Sequence, residues 1–267
     1  MAGRQTADIV FCMDASGSMS NAFSGVRNHV NKMLESIKSD LQMQWDVRFD
    51  FLAYANAYTY SAMKLRTINY AGRDVIDALY NGDVKKGLFG FGQGLAADFF
   101  TSDLGKFENA LGKIECESDE ATGLALDIAA DFPFRDSATC HRVVVLLTDE
   151  PINRGKFVKM TKNRIMDLAQ KYQERKITLF MVTPPCQVFD TLSQIDKCEW
   201  TIDESCGLGN IDFAKLMQTI GKSVSISQTS QGGADAVRPL FNEKSWSKFR
   251  IDGDDSWVEV CTSSFAQ

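Results

Sequence analysis

No run of residues in this 267-residue chain approaches the roughly 18 consecutive apolar side chains that a membrane-spanning helix needs. Nor is there a block of five or more Lys or Arg, and the formal net charge is -6. A nucleic-acid-binding surface usually shows as a basic patch, so the acidic balance argues against that class. Histidine is scarce, with only His29 and His141. No GxSxG elbow occurs, which argues against a serine triad of the hydrolase type. No CxxC pair occurs among the seven cysteines, Cys12, Cys116, Cys140, Cys186, Cys198, Cys206 and Cys261. An odd number without pairs reads as reduced thiols. Of these, Cys186, Cys198 and Cys206 form the best candidate group for a disulfide or zinc, but their spacing matches no common zinc pattern. Residues 1–8 lack the apolar core of a secretion signal. These features set the expectation of a cytoplasmic protein.

Hydrophobic residues make up 44% and charged residues 24%, enough to build one large core with a small appendage. Strand and helix patterns alternate along the chain. Residues 8–13 form a short apolar run suited to a buried parallel strand. Phe23, Val26, Val30, Met33, Leu34, Ile37 and Leu41 then recur at helical spacing. Residues 47–54 read as a strand and residues 62–68 as an edge strand. Residues 82–94 are glycine-rich and read as a loop.

Further on, helices are predicted around Leu104, Phe107, Leu111 and Ile114, and again over residues 120–132. The β-branched run 142–148 is the clearest central strand and ends at Asp149. A helix around Ile165, Leu168, Ala169 and Tyr172 leads to a strand at 177–182, which Pro184 and Pro185 stop. A strand at 199–202 and a helix with Phe213, Leu216, Met217, Ile220 and Val224 complete the series. Such alternation implies an α/β fold, doubly wound, with a mostly parallel sheet covered on both faces. Residues 1–227 form this domain. Residues 228–267 read as a C-terminal β extension, a hairpin packed on it.

In sheets of this kind ligands bind beyond the C-terminal ends of the strands. Asp14-Ala15-Ser16-Gly17-Ser18 lies at such an end, and so does Asp149. One carboxylate and two hydroxyls two residues apart are hard oxygen donors of the kind Mg²⁺ selects, with Gly17 easing the turn. The plainer account is a strand-to-helix turn in which Ser18 and Ser20 cap the helix.

Residues 13–19, Met-Asp-Ala-Ser-Gly-Ser-Met, together with Leu146-Leu147-Thr148-Asp149, resemble the metal-ion-dependent adhesion site of von Willebrand factor A domains. The resemblance covers residues 7–227 in order and spacing and is closest to cytoplasmic bacterial-type members. It implies a Rossmann-like fold and a site for Mg²⁺, or Mn²⁺ or Ca²⁺. The family pattern also takes a third ligand from a middle loop, about five residues before an Ala-Leu pair. Here that spacing selects Glu120 rather than Thr122. With Glu120 the site has three carboxylates and is formally -1 when metal-loaded. Glu150, where family members often carry Gly, departs from the pattern. The resemblance further implies a binding module without catalysis. Its partner would be another protein, neither nucleic acid nor membrane, whose acidic side chain completes the metal shell within a multiprotein assembly.

Other readings compete. A metal-dependent hydrolase or phosphatase could use Asp14 and Asp149, but an aspartyl nucleophile would want a second Asp at the place of Ser16. An extracellular adhesin fragment would share the same loop. Gly221-Lys222-Ser223 looks like the end of a nucleotide-binding P-loop, yet Leu216 stands where its first Gly belongs. Gly90-Phe91-Gly92-Gln93-Gly94 follows no clear strand, and Asp252-Gly253-Asp254-Asp255 lacks the spacing of an EF-hand.

Overall fold

A computed structural model describes residues 3–39, 43–54, 59–61, 99–114, 116, 122–152 and 162–226. The expected strand at 62–68, the glycine-rich loop at 82–94, Glu120 and the C-terminal hairpin lie outside those residues.

The sheet has the order β3-β2-β1-β4-β5-β6. Its strands are β1 (Gly3–Asp14), β2 (Met43–Tyr54), β3 (Thr59–Ser61), β4 (Cys140–Leu147), β5 (Ile177–Thr183) and β6 (Cys198–Ile202). All pair in parallel except β3, a short antiparallel edge strand on Leu52–Tyr54. The helices are α1 (Ser20–Ile37), α2 (Leu104–Leu111), α3 (Thr122–Ala130), α4 (Lys162–Glu174), α5 (Gln187–Leu192) and α6 (Phe213–Ile226).

The apolar runs in β1 and β4 are continuous because both faces of these strands are covered. On β1, Val10 and Cys12 join a core with α3, α4 and α5, whereas Ile9, Phe11 and Met13 join a second core with α1, α2 and α6. On β4, Val144 and Leu146 go to the first core, and Val143, Val145 and Leu147 to the second. The fold is thus doubly wound, as the alternation of elements implied. Phe107 of α2 anchors the second core, its ring 5.6–6.0 Å from those of Phe11, Phe49 and Phe51.

Two local features depart from expectation, and a third bears out the rejection of the P-loop. Strand β1 begins five residues before its apolar run, because Gly3–Ala7 pair with Met43–Val47 through main-chain bonds that polar side chains do not interrupt. Helix α5 follows Pro184 and Pro185 directly and buries Val188, Phe189 and Leu192. At six residues it is too short to show a period. Gly221, the glycine of the supposed P-loop end, lies inside α6. A side chain there would run into the main-chain oxygen of Met33 on α1, so this glycine serves close helix packing and not phosphate binding.

The end of the sheet away from the strands' C-termini is closed by charge. Asp8 is fully buried and takes Arg48 at 2.7 and 2.8 Å and Arg135 at 2.7 and 2.9 Å. Burial pushes its carboxyl up, but the two arginines hold it below the ordinary range. Arg135 also bonds the Asp46 carboxylate and the carbonyls of Ala7 and Asp46.

Candidate metal site

The register of the central strands assembles the site. Met13 pairs with Leu147, so Asp14 and Thr148 leave the sheet side by side, with Asp149 next. Ala15 keeps one more ladder bond, its N–H to the Tyr54 carbonyl at 2.6 Å. The chain then turns through a 3-10 helix, Gly17–Met19, into α1.

Asp14 is fully buried at this end. Its Oδ1 accepts the Ser16 N–H at 2.7 Å and its Oδ2 the Thr148 hydroxyl at 2.9 Å. Burial dominates all the same. It raises the Asp14 carboxyl to about 7, with the nearby Asp149 charge adding and the bonds from Ser16 and Thr148 opposing.

Ser16 and Ser18 place their hydroxyl oxygens 3.1 Å apart, and the Ser18 hydroxyl donates to Asp149 Oδ1 at 3.1 Å. Neither the 3-10 turn nor α1 has a side-chain capping bond at its start. The account in which Ser18 and Ser20 cap the helix is therefore set aside: the Ser18 hydroxyl lies against Ser16 and Asp149. Gly17 is also differently used than expected. It shows no positive φ, and a Cβ on it would meet nothing within 4 Å, so the glycine leaves open space beside the loop.

Four of the five residues proposed from sequence, Asp14, Ser16, Ser18 and Asp149, come together. The fifth, Glu120, lies outside the described residues. The alternative, Thr122, is buried at the start of α3, where its hydroxyl accepts a bond from Tyr54 at 3.1 Å. The Glu150 N–H donates to the Thr148 hydroxyl oxygen at 3.2 Å.

Two contributors were not foreseen. Thr148 orients Asp14, and its only sequence signal is a hydroxyl closing an apolar strand. Gly207, in the 3-10 turn Cys206–Leu208, donates its N–H to Asp149 Oδ2 at 2.6 Å. Gly207 has φ +64°, and a side chain there would collide with the Ser18 carbonyl. Nothing near it in the sequence marks a contact 58 residues away.

The donor set fits a small hard cation. In an octahedron with bonds of roughly 2.0–2.1 Å, neighbouring oxygens stand about 2.9 Å apart. The 3.1 Å spacings among Ser16, Ser18 and Asp149 lie close to that edge. A carboxylate at the back, deprived of water, supplies charge that a cation would balance. Cys186, Cys198 and Cys206 carry free thiols. Among the described residues, no group of three or more His, Cys, Asp or Glu is gathered in a way that could hold a metal. His141 sits near the start of β4, at the opposite end of the sheet, and His29 on α1.

No protein-family model matches the chain, and no curated protein matches it. Solved structures do. A von Willebrand factor type A protein from Catenulispora acidiphila is similar with a TM-score of 0.52 at 12% identity, over 83% of this chain and 43% of that one. Proximal thread matrix protein 1 from the mussel byssus gives a TM-score of 0.49 at 16% identity, over 84% of this chain and 48% of that one. The chain thus spans less than half the length of these solved chains. In its sheet and its helices on both faces, it has the Rossmann-like fold of a von Willebrand factor A domain.

Proposed function

We propose that this chain is a metal-dependent protein-binding module. Its Asp14, Ser16, Ser18 and Asp149, joined by Glu120, hold Mg²⁺, and an acidic side chain of a partner protein completes the shell. The observation that carries this reading is the pairing of a buried carboxylate with serine hydroxyls that no helix end uses. The cation would give the partner a strong, directional bond within a small contact. Asp14 and Thr148 form the rigid rear of the site. Gly207 fixes the rotation of Asp149 so that its Oδ1 stays with Ser18.

The module fits a subunit of a multiprotein assembly. The odd cysteine count supports a cytoplasmic setting, and no described helix is long and apolar enough to cross a membrane.

Calorimetric titration of Mg²⁺ tests the site. Wild type is expected to bind it, Asp14→Ala and Ser18→Ala to lose it, and Glu120→Gln to bind more weakly. Unchanged affinity in Glu120→Gln removes that residue from the site. Affinity capture with and without EDTA tests the partner. Phosphatase or ATPase turnover that depends on Asp14 would instead make the chain an enzyme.

A further inference from the structure

Strand β6 closes one side of the sheet, and among the described residues it pairs only with β5. The Lys197 carbonyl accepts from Leu179 at 3.0 Å, and the Asp203 N–H donates to Thr183 at 3.0 Å. Main-chain direction alternates along a strand, so residues 197, 199, 201 and 203 turn their polar groups toward β5. Cys198, Trp200 and Ile202 turn theirs outward. The side chains of these three also share one face of the sheet. Cys198 and Trp200 pack there against the first core, and the Trp200 indole is fixed by a bond to the Thr183 hydroxyl at 2.8 Å. Ile202 is 54% exposed, the one large apolar side chain so placed among the described residues. Outward main-chain groups beside an exposed apolar side chain make an edge on which another strand can add.

The edge is complementary to itself when a second copy runs antiparallel, and charge selects the register. With the two-fold axis at Glu199, two glutamates meet. With the axis at Thr201, Glu199 meets Asp203. With the axis at Trp200, Glu199 meets Thr201, Trp200 meets Trp200 and Cys198 meets Ile202, so no like charges oppose within the strand. Lys197 then stands across from Asp203, which is buried and already bonded to Ser205, so this pair avoids repulsion more than it adds attraction. Asp196 and Glu204 oppose each other only beyond the strand ends, both exposed, where salt screens them. This register also forms four main-chain bonds. The two Trp200 residues exchange both of theirs, and each Ile202 N–H reaches the opposite Cys198 carbonyl. The Cys198 N–H is already given to Ile195.

We propose that β6 pairs antiparallel with β6 of a second copy of this chain, about a two-fold axis at Trp200, and so joins two sheets into one. The contact does not depend on the metal, yet it bears on what the metal loops can do. Strands of the two halves run in opposite directions, so the two Asp14 loops lie at opposite ends of the joined sheet. Strand β1 is the fourth from the joined edge, which sets the loops seven strand spacings apart across the sheet, about 34 Å. The dimer bridges two partners and does not grip one.

Sedimentation equilibrium of the whole chain tests this, in EDTA and a thiol reductant so that neither metal nor disulfide joins the copies. A five-residue edge lies at the small end of specific interfaces. Wild type is therefore expected to dimerise reversibly, with a dissociation constant on the order of 10 µM. Ile202→Lys puts a charge on each side of the contact and should raise that constant about ten-fold or more. Thr201→Lys points to the opposite face and meets Glu199 of the second copy, twice by symmetry, so it should lower the constant about three-fold. A chain that stays monomeric well above that concentration overturns the proposal. Amide exchange at Trp200 and Ile202 then tells whether residues 228–267 of the same chain cover the edge or leave it open. A dimer that Ile202→Lys leaves unchanged uses another surface, and one that Thr201→Lys fails to tighten uses another register; either result overturns the proposal.

Discussion

Asp14 has lost its water, and the metal-free fold pays for that in a pH-dependent way. Its folded pKa of about 7 lies above the ordinary 3.8. The folded chain therefore holds the proton more tightly than the unfolded chain. The stability this gives is fully present below 3.8 and is lost as pH rises through 7. A divalent cation reverses the slope, because it binds the ionised form. We expect that in EDTA the melting temperature falls between pH 5 and pH 8, and that Mg²⁺ raises it more at pH 8 than at pH 5. At a hundred times its dissociation constant, Mg²⁺ should add about 2.7 kcal/mol. A melting temperature in EDTA that rises over that range would show that Asp14 is not buried as a free carboxyl. At this scale Asp14, Ser16, Ser18 and Asp149 were legible, because a motif and its partner each stand at a strand end. Thr148 and Gly207 were not. Their bonds cross 134 and 58 residues and leave no local pattern.

Helices α1 and α6 show what their glycines are for. Gly221-Lys222-Ser223 has the look of a phosphate-loop end, but Gly221 lies where a side chain on α6 would run into the main chain of Met33 on α1. Gly25 plays a similar part on α1, against the ring of Phe213. Gly221→Ala meets main chain, which cannot turn aside. Overpacking of about 1–3 kcal/mol should outweigh the roughly 1 kcal/mol gained in helix propensity. The urea midpoint is expected to drop. Gly25→Ala meets a side chain that can rotate, so its midpoint should move less. Equal midpoints for the two would remove the close approach as the reason for Gly221. Elements with a long period or a continuous apolar run, α1 and β4 above all, were visible in the sequence. The polar start of β1 and the six residues of α5 were not, since neither displays a full period.

Over the whole molecule, the two ends of the sheet do opposite things. The end with Asp14 carries a buried carboxyl that no cation pairs with among the described residues, and the other end carries Asp8, compensated twice over. Removing one of its arginines strands part of a buried charge. Arg135→Ala should cost about 3 kcal/mol, measured by equilibrium urea unfolding. Loss under about 1 kcal/mol would mean that Arg48 alone suffices.

That lock also has a consequence in time. Arg135 meets Asp8 across 127 residues of chain, which hold α1, β2, β3, α2 and α3. Contacts that close so long a loop are entropically late. The arginine clamp is then a brake on leaving the folded state more than a guide toward it. In kinetic traces, its removal should speed unfolding while barely slowing refolding.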